Sequence, residues 1–390
     1  MKQRHVVAAL AILLACVFAF AGCARLQSLK RSLQREPSVP RASLHTDAGE
    51  ATPWTPASAL EQVATSDVQW TGVAVSKDGR IFVCFPRWSE DVTTSVGELK
   101  EGGLVTPYPD SEWNTWSASS DPAKHFACVQ TVHVDDNDNL WVLDAGSPNL
   151  QGVVKGAAKL VKIDPDRNTV VQVIPFDETV APVRSYLNDV RIDVANNAAY
   201  ITESGLGAII VVDLGAGSAR RVLADNGTTK SEQITLTVNG RDWKGDGGTP
   251  SVNVDGLALD PPAGSADGYL YYHALTGTHL YRIKTSYLRD RALTERNLSA
   301  KVESLGTTGA TDGMEVGPDG YLFLTGVEDG SIRIFAALSK TETVIQDPRL
   351  SWPDTFARAG DYMYVTTSQL NLGRDHTKPY GLYRFKVTRP

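Results

Sequence analysis

The stretch TDGMEVGPDGYLFLTGVEDG, residues 311–330, decides the fold. It starts beside an acidic residue, runs along a short apolar strand, turns at Pro318-Asp319-Gly320 and returns along a second apolar strand. Alternating apolar residues around an Asp-Gly turn are typical of a β-hairpin. Five further copies are WTGVAVSKDGRIFVCF from Trp70, VQTVHVDDNDNLWVLDAG from Val129, LNDVRIDVANNAAYITESG from Leu187, VDGLALDPPAGSADGYLYYHALTG from Val254 and WPDTFARAGDYMYVTTSQ from Trp352. One such hairpin cannot bury its own apolar face, so the repeat predicts stacked units.

The spacing of the copies predicts a six-bladed β-propeller. Successive first strands begin 57 to 67 residues apart, except for a last interval of 41 residues. The longer intervals accommodate four strands and their turns, which is the size of a propeller blade. The 36 residues after Asp354 can finish the last blade with help from an N-terminal strand. We therefore predict an all-β fold of four-stranded antiparallel blades over residues 61–390. A solenoid is the alternative, but it would need polar capping repeats.

The N-terminus has the pattern of an export signal. Lys2 and Arg4 precede an apolar stretch over residues 6–20, which ends in Phe20-Ala21-Gly22-Cys23. This ending resembles the bacterial lipobox, which implies a lipoprotein signal peptide over residues 1–22 and lipidation of Cys23; ordinary cleavage after Ala21 is the alternative. Residues 23–60 are polar and are predicted to form a flexible tether. We expect a lipid-anchored protein of the cell envelope, at the outer membrane or its periplasmic or extracellular face.

The charge of the chain is divided unevenly. The net charge is −7, and residues 1–50 hold seven Lys/Arg against three Asp/Glu, so residues 51–390 carry −11. An acidic body argues against nucleic acid as a partner and favours a cation, an amine or a neutral small molecule. We expect a monomer that binds a small-molecule ligand.

Two cysteines, Cys84 and Cys128, fall within the predicted propeller. An exported compartment permits a disulfide between them, and adjacent blades bring these strand ends towards each other. Two separately buried thiols are the alternative, which the sequence leaves open.

The repeat predicts where polar side chains meet. In a hairpin, the start of the first strand and the end of the second lie at the same end, so both sets should surround one mouth of the central channel. The first set is Thr71, Gln130, Asn188, Asp189, Asp255, Asp312 and Asp354, and the second is Arg87, Asp144, Glu203, His273, Thr325, Glu328 and Gln369. Among these we expect ligand contacts from Arg87, Gln130, Asp189, Thr325, Glu328 and Asp354.

Carboxylates that share a narrow channel repel one another, so they should hold a cation or share protons. Oxygen ligands from Asn188, Asp255 and Asp312 predict a site for Ca²⁺ or another divalent cation. The alternative is that these side chains accept backbone N–H groups and join neighbouring blades. His273 is the predicted general base, with Glu203 as the second catalytic candidate.

At these same residues the chain resembles the yellow/major royal jelly protein family, in a bacterial version. The matching pieces are Gly72-Val73-Ala74-Val75, Phe82-Val83, Pro86-Arg87, Leu140-Trp141-Val142-Leu143-Asp144, Leu187-Asn188-Asp189-Val190, Tyr200-Ile201-Thr202-Glu203-Ser204, Asp255-Gly256, Tyr271-Tyr272, Thr311-Asp312-Gly313-Met314-Glu315 and Trp352-Pro353-Asp354. The resemblance implies a six-bladed propeller. It also implies either chemistry on dopachrome-like catechols or binding of biogenic amines in the channel.

The chain departs from these relatives in two places. Asp138-Asn139 stands where insect members carry a Cys, so their disulfide plan does not transfer. The wider superfamily includes gluconolactonase-like enzymes with a channel metal, and Asn188, Asp255 and Asp312 resemble three of their ligand positions. Thr71-Gly72 stands where those enzymes have a glutamate.

Three functions follow as hypotheses. The first is an exported propeller that binds a small aromatic or cationic ligand at the acidic mouth of the channel. A more specific version of this hypothesis is that the propeller also isomerises the ligand. The second is a metal-dependent lactone hydrolase, in which a cation polarises the carbonyl and activates water. The third is a non-enzymatic propeller that presents its loops to other envelope proteins.

Overall fold

The computed structural model of the 390-residue chain describes residues 60–245, 247–260, 267–375 and 379–387. Within them lie six four-stranded antiparallel sheets, which confirms the predicted six-bladed propeller. In chain order the strands of the blades are β1 (Glu61–Ser66), β2 (Val73–Val75), β3 (Ile81–Cys84), β4 (Val96–Leu99), β5 (Val105–Pro107), β6 (Val129–Val134), β7 (Leu140–Asp144), β8 (Lys159–Asp164), β9 (Thr169–Pro175), β10 (Leu187–Asp193), β11 (Ala198–Glu203), β12 (Ala208–Asp213) and β13 (Ser218–Val222), then the hairpin β14 (Thr237–Val238) and β15 (Arg241–Asp242), then β16 (Val254–Asp260), β17 (Tyr269–Ala274), β18 (His279–Lys284), β19 (Glu303–Thr307), β20 (Met314–Val316), β21 (Leu322–Gly326), β22 (Ser331–Ala337), β23 (Lys340–Gln346), β24 (Pro353–Ala359), β25 (Tyr362–Thr367) and β26 (Tyr380–Lys386).

Blades 1 to 5 are β2–β5, β6–β9, β10–β13, β16–β19 and β20–β23, and blade 6 has the order β1-β26-β25-β24. Strand β1 therefore closes the ring, because it pairs antiparallel with β26 from Glu61 opposite Arg384 to Ser66 opposite Tyr380. This is the contribution from the N-terminal side that the short last repeat predicted. The first strands β2, β6, β10, β16, β20 and β24 each contact the next around the ring, which places them next to the channel axis.

The apolar core lies between neighbouring blades rather than at one centre. Between blades 2 and 3, for example, Leu160 packs with Ile201 and Ile210, and all three are fully buried. Between blades 3 and 4, Tyr200 packs with Leu257. Burying one such side chain contributes about 1.5–3 kcal/mol, so each blade is stabilised mainly by its neighbours.

Helical structure is confined to connections. The short helices are α1 (Ser111–Asn114), α2 (Thr285–Arg289) and α3 (Glu295–Ser299), and short 3₁₀ turns occupy Glu101–Gly103, Pro148–Leu150, Val194–Asn196, Gly227–Thr229 and Leu370–Asp375. Helices α2 and α3 lie in the connection between β18 and β19. Among the described residues, none of the helices is long and apolar enough to cross a membrane.

Candidate functional site

Four first strands carry a β-bulge at the same place, just inside their start. The pairing register slips between Val129 and Thr131, between Leu187 and Val190, between Val254 and Gly256, and between Pro353 and Phe356. The residues at the slips are Gln130, Asn188, Asp189, Asp255, Asp354 and Thr355, and all but Thr355 belong to the predicted first set. A bulge bends the strand and redirects a side chain. The bulges therefore account for the position of these side chains at one end of the channel.

Close contact between first strands requires glycine after two of the acids. A Cβ on Gly256 would lie 2.2 Å from the carbonyl oxygen of Asp312, and one on Gly313 would lie 1.8 Å from that of Asp354. Both distances are far below van der Waals contact, so any larger residue would push the blades apart. The Asp-Gly pairs thus place Asp255, Asp312 and Asp354 side by side on blades 4, 5 and 6.

These three acids form the acidic mouth, defined as Asp255, Asp312 and Asp354. At most 7% of any of them is exposed. Burial is the main cause that raises their pKa values, to about 6 for Asp312 and well above the usual range for Asp255 and Asp354. The Asp312 charge raises the pKa of the other two further. Within the described part of the chain, none of the three forms an ion pair with a cationic side chain.

Neutral groups hold the acidic mouth in place. Asn188 Nδ2 donates to Asp255 Oδ2 at 2.8 Å, and the indole Nε1 of Trp352 donates to Asp312 Oδ2 at 2.6 Å. A hydrogen bond joins the Asp255 and Asp312 carboxyls; it raises the pKa of Asp255 and opposes the rise for Asp312. The two carboxyls are therefore coupled, and the pair favours the retention of a proton.

Below the acidic mouth, one arginine crosses the channel. Arg191 Nη1 lies 2.7 Å from Asp189 Oδ1 on its own strand β10, while its Nη2 donates to Met314 O at 2.6 Å and its Nε lies 3.2 Å from Glu315 Oε2. Blades 3 and 5 are not adjacent in the ring, so this side chain spans the axis. We call Asp189, Arg191 and Glu315 the bridge; its charges compensate one another, unlike those of the mouth.

A chain of hydrogen bonds runs from Trp88 through Tyr186 to Gln130. Trp88 Nε1 donates to the Tyr186 hydroxyl at 2.7 Å, and that hydroxyl donates to Gln130 Oε1 at 2.8 Å. Burial raises the pKa of Tyr186 well above its usual range, so the phenol stays protonated. This chain of hydrogen bonds fixes Gln130 and adds an aromatic wall to blades 1 to 3.

A segment between blades 3 and 4 covers Trp352. We call residues 234–243 the cap; it includes β14 and β15. Trp243 meets the Trp352 ring edge-on at 4.7 Å, and Leu236 and Val238 are buried in the same cluster. Glu328 Oε1 accepts the backbone N–H of Thr237 at 2.8 Å and so attaches the cap to blade 5. The cap thereby reaches the acidic mouth through Trp352.

The predicted second set does not line the same ring. Arg87 donates to the carbonyl groups of Val92 and Asn114, and the fully buried Glu203 pairs with Arg221 at 2.6 Å. The reason is geometric, since second strands lie about 4.8 Å farther from the axis than first strands. Their terminal side chains therefore meet loop backbone, as Glu203 does with the N–H groups of Tyr186 and Leu206.

The remaining second-set residues also have protein partners. His273 is fully buried with its Nδ1 2.7 Å from Ala274 O, and burial lowers its pKa to about 4. Thr325 Oγ1 accepts the N–H groups of Asp312 and Gly313 and so helps to shape the mouth, while a ligand contact from Thr325 stays a prediction. Catalysis by His273 and Glu203 stays a prediction, and the structure offers the mouth carboxyls as alternative acid and base groups.

The expected disulfide is absent. Cys84 and Cys128 are both free and buried, and the Cys84 thiol donates to the Gln130 carbonyl at 3.2 Å. Burial raises the pKa of each thiol to about 12, which makes both unreactive. The open alternative of two separate thiols is therefore the correct one. The predicted signal peptide, the lipidation site Cys23 and the tether up to residue 59 lie outside the described residues.

Sequence reasoning missed three elements of the site: the bridge, the Trp352 donor and Tyr186. Arg191 follows Asp189 at the two-residue period of a strand, and Glu315 follows Gly313 in the same way. That alternation was the available signal for the bridge. The partnership of Trp352 with Asp312 spans 40 residues and two blades, and no local pattern predicts it.

The predicted metal ligands are brought together only in part. Asn188, Asp255 and Asp312 are neighbours, but the Asn188 amide presents its N–H group to Asp255. Thr71, at the position of the expected glutamate, donates its hydroxyl to Gln130 O at 2.7 Å. Among the described residues, no three or more His, Cys, Asp and Glu side chains are grouped so as to hold a metal ion. The divalent cation stays a prediction, with an amide and two carboxyl groups as its available ligands.

A six-bladed propeller with buried acids at one end of its channel is the class that the fold and the site define. Residues 127–389, more than half of the chain, match the family model described as major royal jelly protein. The chain therefore belongs to the major royal jelly protein family, which confirms the resemblance seen in its motifs.

Curated relatives agree with this assignment. Major royal jelly protein 7 of Apis mellifera is 24% identical over 219 residues, which cover 53% of this chain and 46% of that protein. Protein yellow of Drosophila erecta is 23% identical, over 55% of this chain and 41% of that protein. The dopaminechrome tautomerase of Drosophila melanogaster is 30% identical over 143 residues, 35% of this chain and 27% of that protein. The chain thus spans less than half the length of the curated relatives it matches.

Solved structures show the same architecture. A gluconolactonase from Xanthomonas campestris has a TM-score of 0.51 at 14% identity, over 84% of this chain and 89% of that chain. The calcium-binding protein regucalcin from Agrobacterium tumefaciens has a TM-score of 0.51 at 12% identity, over 85% of this chain and 95% of that chain. Likeness at these identities shows the fold alone.

Proposed function

We propose that this chain binds a small aromatic cation at the acidic mouth, and that it isomerises a catechol-like ligand there. The observation that carries the proposal is the set of three buried carboxyls without a cationic partner among the described side chains. Ionising them in a desolvated site is unfavourable unless a positive charge arrives. An ammonium group supplies that charge, and the aromatic wall of Trp88 and Tyr186 suits the flat remainder of such a ligand.

The finer proposal concerns proton transfer. In the proposed reaction Asp255 holds the retained proton and Asp312 is ionised, so the pair offers a donor and an acceptor in the same place. In a tautomerisation, the Asp312 carboxylate accepts a proton from a ligand carbon and the Asp255 carboxyl donates one to a ligand oxygen. One proton enters the ligand for each that leaves, so no further reactant is required. The name of the related dopaminechrome tautomerase supports this reaction class.

Calorimetry with three matched catechols tests the binding proposal. Dopamine is cationic, 4-ethylcatechol is its neutral analogue, and 3-(3,4-dihydroxyphenyl)propionate is anionic. We expect dopamine to bind at least about tenfold more tightly than the other two, since a single desolvated charge pair is worth about 1.4 kcal/mol or more. Proton release on binding near pH 6, measured in buffers of different ionisation enthalpy, should accompany it.

Variants locate the binding. Asp312→Asn and Asp354→Asn should lose most dopamine affinity, whereas the control Asp347→Asn should not, because Asp347 pairs with Arg349 at the surface. Dopaminechrome conversion, followed by absorbance, should disappear in Asp312→Asn. Equal affinity for dopamine and 4-ethylcatechol, or unchanged binding in Asp312→Asn, would refute the proposal.

A metal-dependent lactone hydrolase is the second candidate, and the proximity of Asn188, Asp255 and Asp312 favours it. These residues would hold a divalent cation, which polarises a lactone carbonyl and activates water when bound. Terbium luminescence offers a direct readout, because Trp352 touches Asp312 and would sensitise a bound lanthanide. Elemental analysis without metal, together with no luminescence in the wild type beyond that of Asp312→Asn, would eliminate this function.

A further inference from the structure

The opposite end of the channel holds a chamber of about 750 Å³. Its walls are the ends of the six first strands and, in blades 1, 2, 3, 5 and 6, residues of the turns that follow them, so all six blades contribute. We call it the turn-side chamber, because the hairpin turns at residues 76–79 of blade 1 and 135–136 of blade 2 form part of its rim. A volume of this size accommodates a small organic molecule.

The bridge separates the chamber from the acidic mouth. Arg191 and Glu315 line the chamber, while Asp189, which pairs with Arg191, lies at the bulge on the mouth side. All three nitrogen atoms of the Arg191 guanidinium lie against a partner: Asp189, Glu315 or the Met314 carbonyl. A ligand in the chamber therefore meets different chemistry from one at the mouth.

One chamber cation, Arg358, is only partly compensated, since its charge also acts on Glu315 and opposes the rise in the pKa of that carboxyl. Arg358 has a single ion pair among the described residues, with Asp136 at 3.9 Å, and 47% of the arginine side chain and 73% of the aspartate are exposed. Exposed pairs of this kind contribute little and release their members readily. Lys77 lies on the neighbouring blade and donates to the Asp136 carbonyl. Blades 6 and 1 thus present positive charge to the chamber.

His133 continues this side of the chamber on blade 2. Burial, and then the charges of Arg191 and Arg358, hold the pKa of His133 well below its usual range, so the ring is neutral. Its ring makes no hydrogen bond with any other described residue. A neutral imidazole keeps one N–H donor available, which a ligand oxygen can accept.

Five acids also line the chamber, and most of them are already engaged by other side chains. Glu315 pairs with Arg191, Asp193 pairs with Arg289, and Asp135 accepts the Trp141 indole N–H. Asp260, on blade 4, faces the chamber across from blades 6 and 1, and burial raises its pKa. The remaining wall includes apolar surface from Val75, Leu259, Val316, Phe356 and Tyr364.

We propose that the turn-side chamber is a second binding site, which takes a small carboxylate with an apolar body. The ligand carboxylate pairs with the Arg358 guanidinium and accepts the His133 N–H, and the apolar body lies against Phe356 and Val316. This site does not depend on the function proposed for the acidic mouth, and the two prefer ligands of opposite charge.

The test uses 3-phenylpropionate with its neutral analogue 3-phenylpropanol and the cation phenethylamine. Calorimetry on the full chain should show about tenfold or greater preference for the carboxylate, the effect of one charge pair. Arg358→Gln should remove that preference. Arg349→Gln is the matched control, since Arg349 has 46% side-chain exposure and its own carboxylate partner but lies outside the chamber. His133→Gln, which keeps an N–H donor, should lose less affinity than His133→Leu.

A spectroscopic readout separates binding here from binding at the mouth. In a ¹⁵N-histidine spectrum, the resonance that disappears in His133→Gln should shift with 3-phenylpropionate in the wild type and equally in Asp312→Asn. Dopamine affinity should be the same in Arg358→Gln as in the wild type. The proposal is overturned if 3-phenylpropionate does not bind, if 3-phenylpropanol binds equally well, or if Arg358→Gln behaves like Arg349→Gln.

Discussion

The two ends of the channel are built from the same six strands, yet they treat charge in opposite ways. At the acidic mouth, three carboxyls are buried next to one another without a cationic partner among the described side chains. On the chamber side, Arg191 and Glu315 compensate each other and Arg358 stays largely exposed. The mouth is covered by the cap through Trp352, whereas the chamber encloses about 750 Å³ of space.

This difference arises from the two-residue period of a strand. On β10, Asp189 lies on the mouth side and Arg191 reaches the chamber, and on β24 the same step leads from Asp354 to Phe356. One strand therefore serves two chemistries. The mouth therefore retains unfavourable charge, which the proposed ligand would compensate, while the bridge lies between the mouth and the chamber and its own charges compensate one another.

Removing the bridge cation Arg191 should have the largest effect on the free energy of unfolding. In Arg191→Met, the carboxylates of Asp189 and Glu315 stay buried and lose their common partner. Leaving buried charges unpaired costs about 3–5 kcal/mol, so the free energy of unfolding should fall by that amount. Urea denaturation followed by tryptophan fluorescence measures the change.

Two further variants show whether charge is the cause. Arg349→Met removes an arginine whose pair is largely exposed and should cost at most about 1 kcal/mol. The triple variant Asp189→Asn, Arg191→Met, Glu315→Gln removes all three charges and should recover part of the loss. If the triple variant is no more stable than Arg191→Met, lost packing rather than unpaired charge explains the bridge.

An intermediate effect is expected at the mouth, with a characteristic pH dependence. The pKa of Asp312 is about 6 in the folded chain and near 3.8 when unfolded. The folded state therefore binds the proton more tightly, and stability is lost as pH rises from about 4 through about 6. Asp312→Asn removes this loss, so relative to the wild type it should gain about 1–3 kcal/mol between pH 4.5 and pH 8. Urea denaturation at both pH values measures the gain.

The stability contribution of a paired surface acid should depend on pH in the opposite direction. Hydrogen bonds from Arg349 lower the pKa of Asp347, so its contribution is present at neutral pH and is lost as pH falls. Asp347→Asn should therefore show a nearly constant stability deficit relative to the wild type between pH 4.5 and pH 8, and this deficit should shrink only below about pH 4. The same pH response in both variants would mean that the mouth acids are not repelling one another.

The sequence predicted the blades and the three acids of the mouth for identifiable reasons. Alternating apolar residues and Asp-Gly or Asn turns indicate each hairpin, so the number of blades could be counted. The acids before Gly256 and Gly313 could be recognised because the glycines mark a close approach of backbones. These signals are local, so they can be recognised in the sequence alone.

The second set of predicted residues shows what local sequence patterns do not predict. Arg87 and Glu203 lie at the correct end of their strands, but radial distance from the axis is not encoded in the period of a strand. The bridge needs Arg191 of blade 3 to reach past blade 4 to Glu315 of blade 5, and the Trp352–Asp312 contact needs two strand starts to converge. These contacts depend on closure of the whole ring.

The smallest effect is expected from loosening the cap. Glu328→Ala removes the acceptor of the Thr237 N–H, while the Glu328 carbonyl still accepts the N–H of Asn239. One such bond is worth about 0.5–1.5 kcal/mol. Because the cap lies outside the six sheets, the loss should appear as local opening and leave the global free energy of unfolding unchanged. Hydrogen exchange of a peptide covering residues 234–243 should become about fivefold faster.

This local change separates the two ends of the channel. The cap reaches Asp312 through Trp352, so its opening should raise the association rate of dopamine at the mouth and leave that of 3-phenylpropionate at the chamber unchanged. Glu342→Ala, an exposed acid on the same blade, is the control and should alter neither rate. If Glu328→Ala accelerates both ligands equally, they share one entrance, and the bridge does not divide the channel. If it lowers global stability by several kcal/mol, the cap belongs to the core and cannot act as a cover for the mouth.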